Sequence, residues 1–415
     1  MQLKYKIDLK LNYINIESMN PSVQLKLEEN GSYQFTLSGV NVSIANAIRR
    51  VILSDIKTLC IDTENTTIEI NNTRLHNEIL KERLNGIPVH SKDLEKLVKS
   101  YYIEVDVKND TDNIVYVTTK DFKIKKKETN ELIKEEFREK IFPKNILTGF
   151  YIDFARLGPF IDESIETEQI KLKANFAVRS AKENGTYSVV SKCTYENTKD
   201  PVKIIDIWRE KEKILLKELG GVDDINEVNS QEKGHVKERI EFEHRDFLYL
   251  DSQRYFIENS FDFTIETIGV FTNQEILSKS CIVLQNMFYE FKKDIETDKY
   301  MITKSSYMDE HSSTIENSFD IVLPDKDYTF GKVIEFILYE KFFKVANNGR
   351  MSKAFSEKNI LSYCGFKKFH PHDSYTILRI AFHDKVELED VRSKLIEASN
   401  YASEIYTKIY NLIKK

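Results

Sequence analysis

Residues 43–88 read SIANAIRRVILSDIKTLCIDTENTTIEINNTRLHNEILKERLNGIP, and this stretch decides the fold. Ser43 is a hydroxyl N-cap, because its side-chain oxygen can accept one of the unpaired amide hydrogens of a first helical turn. The helix it opens carries Arg49 and Arg50 on its polar side and runs on into the apolar Val51-Ile52-Leu53. A strand is expected around 66–70 and a short helix over 75–84. Asn72, Thr73, His76, Glu78 and Arg83 form a second polar cluster, closed by Pro88.

Working outward, residues 1–40 alternate polar and apolar side chains, as in Val23 to Leu27 and Tyr33 to Leu37, and are expected as strands. The alternating N-terminus lacks the apolar core of a signal peptide. Alternation returns at 101–106, 114–118, 146–154, 170–179 and 186–195. The mixed charge run 123–140 is expected as a solvated loop or exposed helix. Residues 204–219 are expected as a helix and 220–240 as a polar connection. A strand follows at Phe261 to Val270, then an amphipathic helix over 273–291. Residues 301–317 are rich in Ser, Thr and Glu and are expected as a linker. The final block is expected as strand 318–323, helix 329–343, loop 344–357, strands 360–366 and 375–382, and a long helix. That last helix places Val391, Leu395, Ala398, Ala402, Ile405, Ile409 and Leu412 on one face by alternating steps of four and three.

The opening helix has a second copy. Ser43-Ile44-Ala45-Asn46-Ala47-Ile48 aligns with Thr329-Phe330-Gly331-Lys332-Val333-Ile334. Each begins with a hydroxyl residue, then a bulky apolar residue, then a small one that lets another backbone or helix approach closely. The second copy is apolar round most of its circumference, so it is expected to be covered on more than one side. Either each helix packs on its own sheet and against the other helix, or two unrelated core helices happen to look alike.

Composition excludes little but narrows the field. The net charge of −6 argues against a free-standing nucleic-acid binder, which usually shows a basic excess. Only 13 glycines occur, and no Gly-rich nucleotide loop is among them. The dispersed Cys60, Cys193, Cys281 and Cys364 form no CxxC pair, which argues against a zinc or iron–sulfur site. His370, His372 and His383 make a poor ligand set, with a proline inside it and no cysteine beside it.

These residues resemble a known family, the alpha-type assembly subunits of multisubunit RNA polymerase. The pattern is met by Ala45-Asn46-Ala47-Ile48-Arg49-Arg50, Ser54-Asp55-Ile56, Asn72-Thr73-Arg74-Leu75-His76-Asn77-Glu78 and Arg83-Leu84-Asn85-Gly86-Ile87-Pro88. Residues 263–291 resemble that family's returning strand and helix. Residues 318–415 resemble its smaller partner, the eleventh subunit of the eukaryotic enzyme, through Thr329-Phe330-Gly331, Gly365-Phe366-Lys367, His370-Pro371 and Leu378-Arg379-Ile380. Lys332 and Tyr328 stand where that partner usually has Asn and His. The larger subunit's cysteine loop is missing.

The resemblance implies an α+β fold: two dimerisation modules, each an antiparallel sheet with helices, paired in one chain as a pseudo-dimer, with a mostly β insert. The larger module would take 1–94 and 241–300, the insert 95–240, the linker 301–317 and the smaller module 318–415. The chain would be a non-catalytic scaffold, with no cofactor and no metal, for the largest, second-largest and small polymerase subunits, meeting DNA only through the complex. No homodimer is expected. Implied interface residues are Ser43, Ala45, Asn46, Ile48, Arg49, Arg50, Asn72, Thr73, His76, Glu78, Arg83, Pro88, Thr329, Phe330, Gly331, Ile334 and Leu338. Arg49 and Arg50 would face the second-largest subunit, where the rigid guanidinium fork suits anchoring. Fused subunits resemble those of large DNA viruses, which implies the host cytoplasm and the virion; a cellular chain would be nuclear. The alternative is an independent nucleic-acid-binding transcription factor using Lys123-Ile124-Lys125-Lys126-Lys127. A hydrolase reading finds no nucleophile–base constellation, and His76 with Glu78 lacks one too.

Overall fold

The computed structural model describes residues 19–29, 31–146, 148–160, 166–220, 233–304, 315–344 and 361–414. The chain begins with a hairpin of β1 (Ser22–Glu29) and β2 (Ser32–Ser38), followed by α1 (Val42–Ser54). Apolar residues recur on one side of α1, and Ile44, Ala45, Ala47, Ile48, Val51 and Ile52 are buried. Burying each of the four branched side chains among them contributes roughly 1.5–3 kcal/mol.

After α1 the chain leaves this sheet. It forms β3 (Lys57–Asn71), α2 (Asn77–Asn85), α3 (Leu94–Ser100), β4 (Tyr101–Lys108), β5 (Val115–Thr118), β6 (Lys123–Lys126), α4 (Glu135–Ile141), β7 (Asp153–Leu157) and β8 (Gln169–Ser180). Four of these strands pair antiparallel in the order β3-β8-β4-β6, and β5 pairs with β7 as a ribbon. They enclose a core of their own, including Leu59, Ile61, Ile103, Leu172 and Phe176.

The chain then returns. β9 (Val190–Lys199) and β10 (Phe256–Thr267) complete the first sheet in the order β1-β2-β10-β9. Between them stand two helices, α5 (Pro201–Gly220) and α6 (Lys233–Tyr249). α7 (Asn273–Glu296) follows β10 and opens with a reciprocal capping box between Thr272 and Glu275. The last unit holds β11 (Ile302–Lys304), β12 (Ser318–Pro324), α8 (Tyr328–Leu338), β13 (Leu361–Lys367), β14 (Tyr375–Phe382) and α9 (Leu388–Ile413). Its sheet order is β11-β12-β14-β13.

The expected boundaries change in three places. The insert starts at Lys57 and not at residue 95, because β3 pairs with β8 from Lys57↔Ser180 to Asn71↔Ile170. Its sheet ends at Ser180 and not at 240, because β9 pairs with β10. The expected linker 301–317 contributes β11, in which Ile302 pairs with Ile321. The sequence masked the length of β3 because a bulge between Asp62 and Thr67 interrupts its alternation. Residues 221–232 of the expected polar connection, 305–314 of the linker, and 345–357 of the loop lie outside the described residues, as do residues 1–18 of the expected N-terminal strands.

The neck of the insert is closed. The Lys182 amide donates to the Ser54 carbonyl at 2.7 Å, joining the returning chain to the end of α1. Tyr187 donates to Asn85 Oδ1 at 2.5 Å nearby.

The first and last sheets share one hydrophobic core. α1 packs on α7, and α8 packs on α9; across the two units α1 meets α8 and α7 meets α9. Phe330 of α8 lies against Phe288 and Phe291 of α7 with ring centroids 5.0 and 4.7 Å apart. The Ser399 hydroxyl of α9 donates to the Phe288 carbonyl at 2.6 Å. α9 buries the expected face to Ile409, with Ile413 buried where Leu412 is half-buried, and a second stripe at Ser399 and Tyr406. Two stripes are needed because α9 is covered by both α7 and α8.

Candidate subunit-interface site

The residues that cap α1 and α8 are not the hydroxyls. Asn41 caps α1 and its Oδ1 accepts the Ser43 amide at 2.9 Å; Asp327 caps α8 and its Oδ1 accepts the Thr329 amide at 2.9 Å. Asx side chains reach the amide two residues on at low strain, which displaces the expected caps Ser43 and Thr329 by one Asx turn. The signal was legible as an Asn or Asp two residues before each hydroxyl.

Arg50, in the later turns of α1, reaches the start of α8. Its Nε donates to Thr329 Oγ1 at 2.7 Å and its Nη2 to Asp327 Oδ2 at 2.8 Å. Burial opposes ionisation of Asp327, but the hydrogen bonds from Arg50 and Thr329 outweigh it and hold the carboxyl below its usual value. A cation near a helix N-terminus is unfavourable by itself; the Asp327 carboxylate between it and the helix removes that penalty. So Arg50 has two hydrogen-bond partners within the chain and keeps 39% of its side chain exposed. Arg49 is placed differently. Its Nε donates to Asn46 Oδ1 at 3.0 Å, and its charge lies near Cys193 and Tyr195 of β9.

Ala45 and Ile48 are buried in the shared core, as are Thr329, Phe330, Gly331, Ile334 and Leu338. Gly331 admits a close neighbour as expected, but the neighbour is a strand side chain and not a helix. A Cβ there would stand 2.1 Å from Cε2 of Phe366 on β13.

The second polar cluster is remote from α1, on the insert. Asn72 donates to Glu166 Oε2 at 3.2 Å. Thr73 ties the turn before α2 by donating to Asn71 Oδ1 at 2.7 Å. His76 caps α2 by its backbone alone, and Glu78 lies exposed in the first turn. Arg83 donates from Nε to the Phe154 carbonyl at 2.5 Å and from Nη2 to that of Asp153 at 3.1 Å, fixing α2 on β7. Pro88 is half-buried beyond α2. The structure therefore does not bring the two clusters together.

No catalytic chemistry collects at these positions. A cleft of 460 Å³ lies between the end of α1, α7 and the turn before α8. Lys57, Lys182, Lys279 and Lys326 line it, interspersed with Asp55, Glu290 and Asp325; the lining holds no Ser, Thr, Cys or His. Burial pushes the Cys60 thiol up to about 11 and those of Cys193 and Cys281 up to about 12, so none is a nucleophile near neutrality. Among the described residues no group of three His, Cys, Asp or Glu side chains could hold a metal ion. The Lys-rich run, expected as a loop or helix, begins as strand β6. Ile124 is buried, Lys125 pairs with Glu104, Lys126 with Glu131, and Lys127 donates to the Val98 carbonyl. Those lysines are spoken for within the fold.

Residues 34–288 match the family described as the RNA polymerase Rpb3/Rpb11 dimerisation domain. Among curated proteins, the chain is 27% identical over 187 residues to the DNA-directed RNA polymerase II subunit RPB3 of Schizosaccharomyces pombe, covering 44% of this chain and 61% of that protein. It is 37% identical over 76 residues to subunit rpb3 of RNA polymerase II from Dictyostelium discoideum, 18% of this chain and 24% of the relative. It is 32% identical over 99 residues to the DNA-directed RNA polymerase subunit Rpo3 of Pyrococcus furiosus, 23% of this chain and 37% of the relative. The matched segments thus span between 24% and 61% of these relatives' lengths.

Proposed function

Because the chain belongs to the RNA polymerase Rpb3/Rpb11 dimerisation-domain family, we propose that it is a non-catalytic assembly subunit of a multisubunit DNA-dependent RNA polymerase. In this reading an Rpb3-like module and an Rpb11-like module are fused, and they pair within one chain as a pseudo-dimer around a shared core. The observation that carries it is the repeat of architecture. Both outer sheets place a strand, a helix, two further strands and a long helix in the same order, and their helices cross-pack as α1 with α8 and α7 with α9. Fusion makes that pairing intramolecular and independent of concentration.

The paired modules form a platform for the largest and second-largest subunits and the small subunits. Arg49, with only its Nε engaged among the described residues, is the arginine of the pair offered to the second-largest subunit. Asn72, His76 and Glu78 present a second contact surface on the insert. DNA is met only through the assembled enzyme. The fusion favours a viral chain working in the host cytoplasm and carried in the virion.

The test is co-purification. A tagged chain expressed in its own source should bring down two large subunits with polymerase activity. Arg49→Glu should leave the chain folded and deplete the second-largest subunit. Recovery of the chain alone from active extracts would overturn the assignment.

A further inference from the structure

We propose that Arg50 makes the pairing of the two modules directional, so that α1 accepts α8 and rejects the α1 of a second copy of this chain. The inference rests on the paired-module reading above and adds a specificity determinant to it.

The two helices correspond residue by residue. Asn41 matches Asp327, Ser43 matches Thr329, and Arg50 matches Phe336. At one end of the crossing Arg50 reaches both the cap and the hydroxyl of the other helix. By the same correspondence, the residue that would reach Asn41 and Ser43 is Phe336, which cannot donate. Phe336 instead packs on the shared core, and the Ser43 Oγ is left buried with no hydrogen-bond partner among the described residues. The crossing therefore has a charged end and an apolar end.

That asymmetry penalises self-pairing. Exchanging two mixed pairs for one α1–α1 pair and one α8–α8 pair would break both Arg50–Asp327 contacts. The α1–α1 pair would hold two guanidinium groups opposite neutral Asn41 and Ser43. The α8–α8 pair would hold two half-exposed Asp327 carboxylates opposite Phe336 rings. The pair is half-exposed, so the penalty is not that of a buried ion, but each wrong pairing leaves a charge without its hydrogen-bonded partner, and specificity is commonly built from such penalties against the wrong partner. The orphaned Ser43 hydroxyl is what the mixed arrangement leaves behind.

The full-length chain tests this by refolding from denaturant at graded concentrations, so that each module chooses its mate afresh, with oligomers counted by sedimentation velocity. Wild type is expected to refold as monomer. Arg50→Met removes the charge that discriminates, and Phe336→Arg places a guanidinium opposite Asp327 of a second copy; each is expected to raise the dimer fraction about tenfold, the scale of a single charged contact. Cooperative melting by circular dichroism establishes that each variant has folded, and if one does not, the other decides. Folded variants that refold as completely to monomer as wild type would overturn the proposal. A wild-type chain that refolds as a stable dimer would instead overturn the paired-module reading, a separate result.

Discussion

Arg50 and Asp327 lie 277 positions apart in the chain, and their side chains meet at 2.8 Å. The contact is half-exposed, at 39% and 44% of the two side chains, so the Coulomb part is screened and small. Its weight comes from what it completes. Asp327 also caps α8, and Thr329 is a second acceptor for the same guanidinium. Arg50→Met is therefore expected to lower stability by about 1–2 kcal/mol, combining a surface ion pair with a charged hydrogen bond. Urea denaturation of the single variants and of Arg50→Met with Asp327→Asn gives the coupling, and strictly additive effects would show the two residues to be independent.

The same carboxyl sets a pH dependence. Its folded pKa is depressed relative to an unfolded value of about 3.9. The stabilisation is therefore complete above that unfolded value and is lost as pH falls through the folded one. Wild type and Arg50→Met should converge in stability at low pH, separate as pH rises through the depressed folded pKa, and differ fully by about pH 5, on the order of one unit above the unfolded pKa. A difference that stays constant from pH 2.5 to pH 7, about the span in which carboxylates titrate, would contradict this.

Gly331→Ala places a methyl group 2.1 Å from Cε2 of Phe366. The ring belongs to the shared core, so it must shift for the methyl group to fit. The expected loss is about 1–3 kcal/mol, the usual consequence of overpacking. Adding Phe366→Leu should recover part of it. If Gly331→Ala melts like wild type, the close approach is not tight in solution.

Tyr406 is fully buried on α9 beside Phe288, and its hydroxyl has no hydrogen-bond partner among the described residues. An unsatisfied buried hydroxyl destabilises by about 1–3 kcal/mol, so Tyr406→Phe should leave stability unchanged or raise it. Thermal unfolding of the two chains makes the comparison, and a clear drop in melting temperature would mean that the hydroxyl has a partner.

The native chain should be slow to react with a thiol reagent at pH 8, about half a unit below the pKa of a free thiol. Cys60, Cys193 and Cys281 are buried and their thiols are held up by desolvation. Cys364 shifts in the same direction. Four thiols should become reactive together on denaturation. One equivalent reacting at the rate of free cysteine before unfolding would contradict the packing.

The sequence was most legible where burial is one-sided or nearly complete. The stripe of α1, the near-uniform apolarity of α8 and the stepped face of α9 each follow from local periodicity. It was least legible where the deciding partner is distant. Nothing near Lys57 says that β3 turns away from the first sheet, because its partner β8 lies more than a hundred residues on. Arg50 posed the same difficulty. A polar helix face is equally compatible with water, another subunit or a mate in the same chain, and only topology chooses. The small position at Gly331 is a place of close approach, but the neighbour is the Phe366 ring where another backbone or helix was expected.

The hydrogen bond from Lys182 to Ser54 gives the first unit a sealed socket. Chain departs and returns at adjacent points, so the geometry below the neck does not depend on how much polypeptide hangs above it. Sites whose two ends sit together tolerate exchange of the intervening segment. The insert is in that sense a replaceable head on a self-contained stem: descendants of this chain can lengthen, trim or substitute it while the sheet carrying α1 keeps its register. Loss of the stitch would instead transmit every change in the head into the helix that holds Arg50.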